Sequence, residues 1–98
     1  MFKITGKKGF HITFDNGYTV SVQFGPGNYC ENYTMSIGND DEEAGKHGSV
    51  DAECAVWKGS GGFIEHPLFD GDMVGARMRS DKVLELLNWA ASQDTADA

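Results

Sequence analysis

Two runs of strict alternation near the N-terminus set the register of a β-hairpin. Phe10, Ile12 and Phe14 alternate with His11 and Thr13, and Tyr18, Val20, Val22 and Phe24 alternate with Thr19, Ser21 and Gln23. This is the period-two pattern of strands buried on one face. The loop between them is decided by which residues it sets opposite one another. A two-residue loop at Asn16-Gly17 pairs Phe14 with Thr19 and Ile12 with Ser21, apolar against polar throughout. A three-residue loop, Asp15-Asn16-Gly17, pairs Phe14 with Tyr18, Ile12 with Val20 and Phe10 with Val22, and it puts glycine at the left-handed position such loops require. The sequence therefore predicts a G1-bulge hairpin. One face is apolar and aromatic; the other carries His11, Thr13, Thr19, Ser21 and Gln23.

The same reading extends along the chain. Residues 2–5 form a short edge strand before a Gly6-to-Gly9 turn, and Gly25-Pro26-Gly27-Asn28 ends the hairpin because it cannot continue a ladder. A third strand is expected over residues 33–37, followed by a polar, acidic loop at 38–48. Residues 49–58 alternate again, with Val50, Ala52, Cys54 and Val56 on one face and Asp51, Glu53, Ala55 and Trp57 on the other. A short return is expected at Phe63-Ile64-Glu65. Residues 71–79 are ambiguous, Val74, Ala76 and Met78 favouring a strand that Gly71 and Gly75 weaken. The last element changes period: Val83, Leu84, Leu86, Leu87, Ala90 and Ala91 follow helical spacing, with Ser80 as N-cap, Asp81 at the positive end of the dipole and an end near Gln93. Its stripe should cover the Phe10, Ile12, Val20 and Val22 face. The expected fold is α+β, an antiparallel β-sheet of four to six strands with one C-terminal helix packed on it, in a single domain over residues 1–93 with a frayed tail at 94–98.

Length and charge narrow the function. The 98 residues suffice for one core, and 8 basic against 15 acidic residues give a net charge of −7. The basic residues Lys3, Lys7, Lys8, Lys46, Lys58, Arg77, Arg79 and Lys82 make no basic groove in the sequence, so direct nucleic-acid binding is not expected. No run of about eighteen apolar residues is present, and the first ten residues carry no hydrophobic leader, so the chain is read as cytoplasmic and not membrane-bound. Cys30 and Cys54 are then expected as free thiols, a disulfide between them being open but not indicated.

Candidate chemistry is sparse. Cys30, His11 or His66, and Glu53 can be assembled as a nucleophile, base and acid, but no local spacing supports the set. Zinc ligation by Cys30, Cys54, His47 and His66 lacks the usual close pairs, and Asp40, Asp41, Glu42 and Glu43 are contiguous rather than spaced for calcium. No metal and no cofactor is expected. The glycine-containing turn is more informative, because its backbone N–H groups can form an anion-binding concavity. In that reading Gly25, Gly27, Asn28, Tyr29 and Asn32 make one wall, Gln23, Glu53 and Trp57 reach it from polar strand faces, and Arg77, with Arg79 near it, supplies positive charge. Trp57 discriminates between a wedge against loops, an interface anchor and a platform for a stacked base.

The run Asn16 to Cys30, NGYTVSVQFGPGNYC, together with Ala52-Glu53-Cys54-Ala55-Val56-Trp57 and the closing 83–88 helix, resembles a family of small uncharacterised proteins of bacteriophages and prophages. The resemblance implies the cytoplasm of an infected bacterial host and an accessory, counter-defence type of role, in which small proteins bind host defence proteins or sequester nucleotide signals. It carries no catalytic residue with it. Three functions then compete: non-enzymatic capture of a small anionic, nucleotide-like ligand, in a pocket that can be completed between subunits of a homo-oligomer; acidic inhibition of a host protein through Asp40–Glu43, Asp51 and Glu53; and, third, a small enzyme.

Overall fold

The structure is a computed structural model that describes residues 1–6, 8–25, 28, 30–31 and 48–94. Within them, five strands form one antiparallel sheet in chain order: β1 (Phe2–Ile4), β2 (Gly9–Thr13), β3 (Tyr18–Gln23), β4 (Asp51–Lys58) and β5 (Gly75–Arg79). A helix, α1 (Ser80–Ala91), packs on one face. The fold is α+β. The strand expected at 33–37, the acidic run 40–43 and the last four residues of the tail lie outside the described residues.

The central hairpin has the three-residue loop. Phe10 faces Val22 and Ile12 faces Val20, the Phe14 N–H donates to the Tyr18 carbonyl, and Gly17 turns left-handed at φ 90°. Burying Phe14, Ile12 and Phe10 on one side fixes this register, because a one-residue slip would turn them all outward. β4 then aligns Val56 with Val20 and Cys54 with Val22. The core is Val20, Val22, Ala52, Cys54 and Val56 from the sheet, Leu86 and Ala90 from α1, and Met78 and Phe69 from β5 and the 3₁₀ turn Pro67–Phe69 before it. Each fully buried Val or Leu among these contributes roughly 2 kcal/mol. Small side chains at Ala52 and Cys54 let the helix lie close.

Three expectations are corrected. First, α1 packs on β3, β4 and β5, so the Val20 and Val22 half of the expected face is covered while Phe10 and Ile12 on β2 lie at its margin: the helix follows β5 without a loop and is launched from that edge of the sheet. Phe10 and Ile12 are therefore half-buried, and Phe2 and Ile4 on β1 remain 75% and 80% exposed. Second, Ser80 is the first helical residue rather than the cap. The extended residue at the junction is Arg79, whose side chain makes no capping hydrogen bond. Third, the helix ends at Ala91, where the hairpin loop meets it: Asn16 Nδ2 donates to the carbonyls of Ala90 (2.8 Å) and Gln93 (2.9 Å), while its Oδ1 accepts from the Tyr18 N–H. The return at Phe63 is a single bridge to Trp57.

β5 resolves the ambiguous segment as a strand with a bulge. Asp51 faces Arg79 and Ala52 faces Met78, but Cys54 faces Gly75, so β5 carries one extra residue there. Arg77, inside the bulge, has a left-handed backbone at φ 52°, which β-bulges use to re-aim a side chain.

Candidate functional site

The residues expected to share one pocket fall in three places. Gln23 and Glu53 are register partners at one end of the polar face, and Gln23 Nε2 donates to Thr5 Oγ1 (2.7 Å) and Ser21 Oγ (3.2 Å). Gly25 and Asn28 lie just beyond β3, and there the Asn28 amide donates to the Gly25 carbonyl at 3.2 Å and the buried Cys30 thiol donates to it at 3.6 Å. Asn28 and Cys30 thus share the Gly25 carbonyl. Gly27, Tyr29 and Asn32 lie outside the described residues.

Trp57 is four residues from Glu53 along β4, about 13 Å away at strand rise, and opposite Thr19. Phe63 stacks on it at 5.6 Å and His11 meets it edge-on at 5.0 Å. With both neighbours in contact, Trp57 is half-buried and forms part of an aromatic cluster over the polar face, beside the Thr13–Thr19 hydroxyl pair.

Arg77 belongs to a third region, at the junction of β5 and α1. The bulge, the uncapped start of the helix and the 3₁₀ turn border an open groove of about 500 Å³. Arg77, Arg79 and Lys82 bring positive charge to it, Asp70 and Asp81 bring carboxylates, and Pro67 and Leu68 form an apolar wall. Lys82 is shared with Glu85 at 3.3 Å. Among the described residues, neither arginine has an acid partner. The wall is held in place by His66, whose Nδ1 accepts from the Leu68 N–H at 3.1 Å and whose ring packs on Trp89 and Phe69. Asp70 ends that turn in a left-handed conformation, which Asp tolerates better than most residues. Lys82, Asp70 and Asp81 were not legible as site residues from sequence spacing. The available signal was the pair of arginines two apart at a strand end that runs straight into a helix.

Burial shifts the protonation of three groups among the described residues. Burial, then the neighbouring Glu53 charge, pushes the Cys54 thiol up to about 12, so it is not a thiolate at neutral pH. Burial lowers the pKa of both His11 and His66; Lys3 adds to the effect at His11, while Glu85 opposes it at His66. The two imidazoles are also apart: His11 lies against Trp57 on the polar face, and His66 against Trp89 of the helix. By contrast, two guanidinium groups without acid partners among the described residues, beside the start of a helix, suit an oxyanion, because both donate planar, charge-assisted hydrogen bonds.

No family model matches the chain, and no curated protein or solved structure matches it.

Proposed function

We propose that this chain is a non-catalytic binding module for a small anionic, nucleotide-like ligand, seated at the β5–α1 junction. The observation that carries this reading is the bulge at Arg77: an arginine in a left-handed backbone conformation lines the same groove as Arg79, and neither has an acid partner among the described residues. The guanidinium groups would take phosphate oxygens. Asp70 and Asp81 offer acceptors for sugar hydroxyls, and Pro67 and Leu68 an apolar surface for a ring. The resemblance of residues 16–30 and 52–57 to a phage protein family supports an accessory role in the bacterial cytoplasm, in which capture of such a ligand removes a host signal.

The test is a thermal-shift and calorimetric screen of inorganic phosphate, pyrophosphate and mono-, di- and cyclic nucleotides against the parent and the Arg77→Ala/Arg79→Ala double variant. A ligand at a hundred times its Kd should stabilise the parent by about 2.7 kcal/mol and the double variant far less. A shift that survives the double substitution, or that Trp57→Ala abolishes instead, would place the ligand elsewhere. No response to any of these anions would sink the proposal.

A further inference from the structure

A second concavity lies on the other flank of α1. Val22, Ala52 and Met78 form its floor, Leu84 and Leu87 one wall, and Phe24 and Val50 the other, around about 380 Å³. It exists because α1 uses Leu86 and Ala90 for the core and leaves Leu84 57% exposed, while Val50 (52%) and Phe24 (37%) stand beyond the ends of their strands. Single exposed apolar side chains need no explanation, but a contiguous set around a concave floor does.

The charges around it select the occupant. Asp51 is the charged member of the described residues that line the groove. Glu31 is fixed next to it, its N–H donating to Asp51 Oδ1 and its Oε1 accepting from the Val50 N–H. The rim is thus acidic in a chain of net charge −7. A second copy of the chain would bring the same charge to the interface and be repelled, and an anionic lipid surface would be repelled likewise. We infer that this groove docks a basic, amphipathic helical segment of a partner protein, whose adjacent apolar side chains at i and i+4 fill the space between Leu84 and Val50 while its lysines or arginines meet Asp51 and Glu31. The helix-in-groove mode needs such paired anchors.

The test uses a synthetic helical peptide with leucines at i, i+3, i+4 and i+7 and lysines elsewhere, and a second peptide with glutamates in place of the lysines. Binding is followed by fluorescence anisotropy and by amide chemical shifts on the whole chain. The lysine peptide should bind at least about tenfold tighter than the glutamate peptide, with shifts centred on Phe24, Val50 and Leu84. Leu84→Ser, at an exposed position and with unchanged charge, should weaken it about tenfold while leaving the melting temperature and the response to pyrophosphate intact. Equal binding of both peptides, lysine-peptide binding that Leu84→Ser does not change, shifts centred elsewhere, absence of binding, or occupation of the groove by a dodecyl hydrocarbon chain but not by the peptide would each overturn the inference.

Discussion

Arg77 sits where the backbone favours glycine, and the fold retains it there at a cost. A left-handed conformation costs an L-residue roughly 1–2 kcal/mol, while glycine at the same place loses about 0.5–1 kcal/mol through unfolded-state freedom. Arg77→Gly should therefore stabilise the chain by about 0.5–1 kcal/mol in urea denaturation and at the same time weaken anion binding. A substitution that lowers both would mean that the arginine has a structural role. His66 offers a second measurement at this scale. Burial lowers its folded-state pKa below the usual 6.5, and that of His11 too. The folded chain thus refuses protons that the unfolded chain accepts below 6.5. Their contribution to stability is present above that pH and is lost as pH falls through the depressed folded values. His66→Asn keeps an acceptor for the Leu68 N–H, and its stability should fall less steeply below pH 6.5 than the parent's.

At the scale of elements, the hairpin loop does two jobs. Gly17 makes the left-handed turn that sets the register, so Gly17→Val should destabilise by at least about 1 kcal/mol because a β-branched residue is strained there; a gain would contradict the turn geometry. Asn16 ties that loop to the end of α1 by donating to two late carbonyls. Asn16→Ala should cost about 1–2 kcal/mol, and Asn16→Asp about 0.5–1 kcal/mol more, since it adds an anion at the negative end of the helix dipole. Thermal or urea unfolding of the three proteins checks the order. The hairpin was legible in the sequence because burial, alternation and a glycine all favour one register. The helix position was less so: periodicity identifies the apolar stripe but not the edge from which the helix starts, and that edge decides which strands it covers. The bulge was hidden for a stronger reason. Nothing in Gly-Ala-Arg-Met-Arg announces a positive φ at an arginine, and without the extra residue Arg77 cannot be assigned to its groove. Trp57 was correctly placed beside polar residues, yet strand rise sets it too far from Glu53 to share one small pocket with Gly25 and Asn28.

The whole molecule has an asymmetric distribution of charge and cover. A net charge of −7 surrounds one junction where two arginines lack acid partners among the described residues, and the helix that separates this junction from the acidic apolar groove contributes side chains to both. Met78 lies in both linings, so the two concavities share a piece of core. Among the described residues, no helix is long and apolar enough to cross a membrane. Whether the exposed arginines at the β5–α1 junction form an anion site is tested most directly by a nitrogen-15 NMR titration of the intact chain with pyrophosphate, following backbone amides and arginine Nε–H groups together. An anion site there predicts saturable shifts at Arg77, Arg79, Lys82 and the first-turn amides of α1, fitting one dissociation constant. Shifts that never saturate, or that centre on Trp57 or Asn28 while the junction stays still, would contradict it.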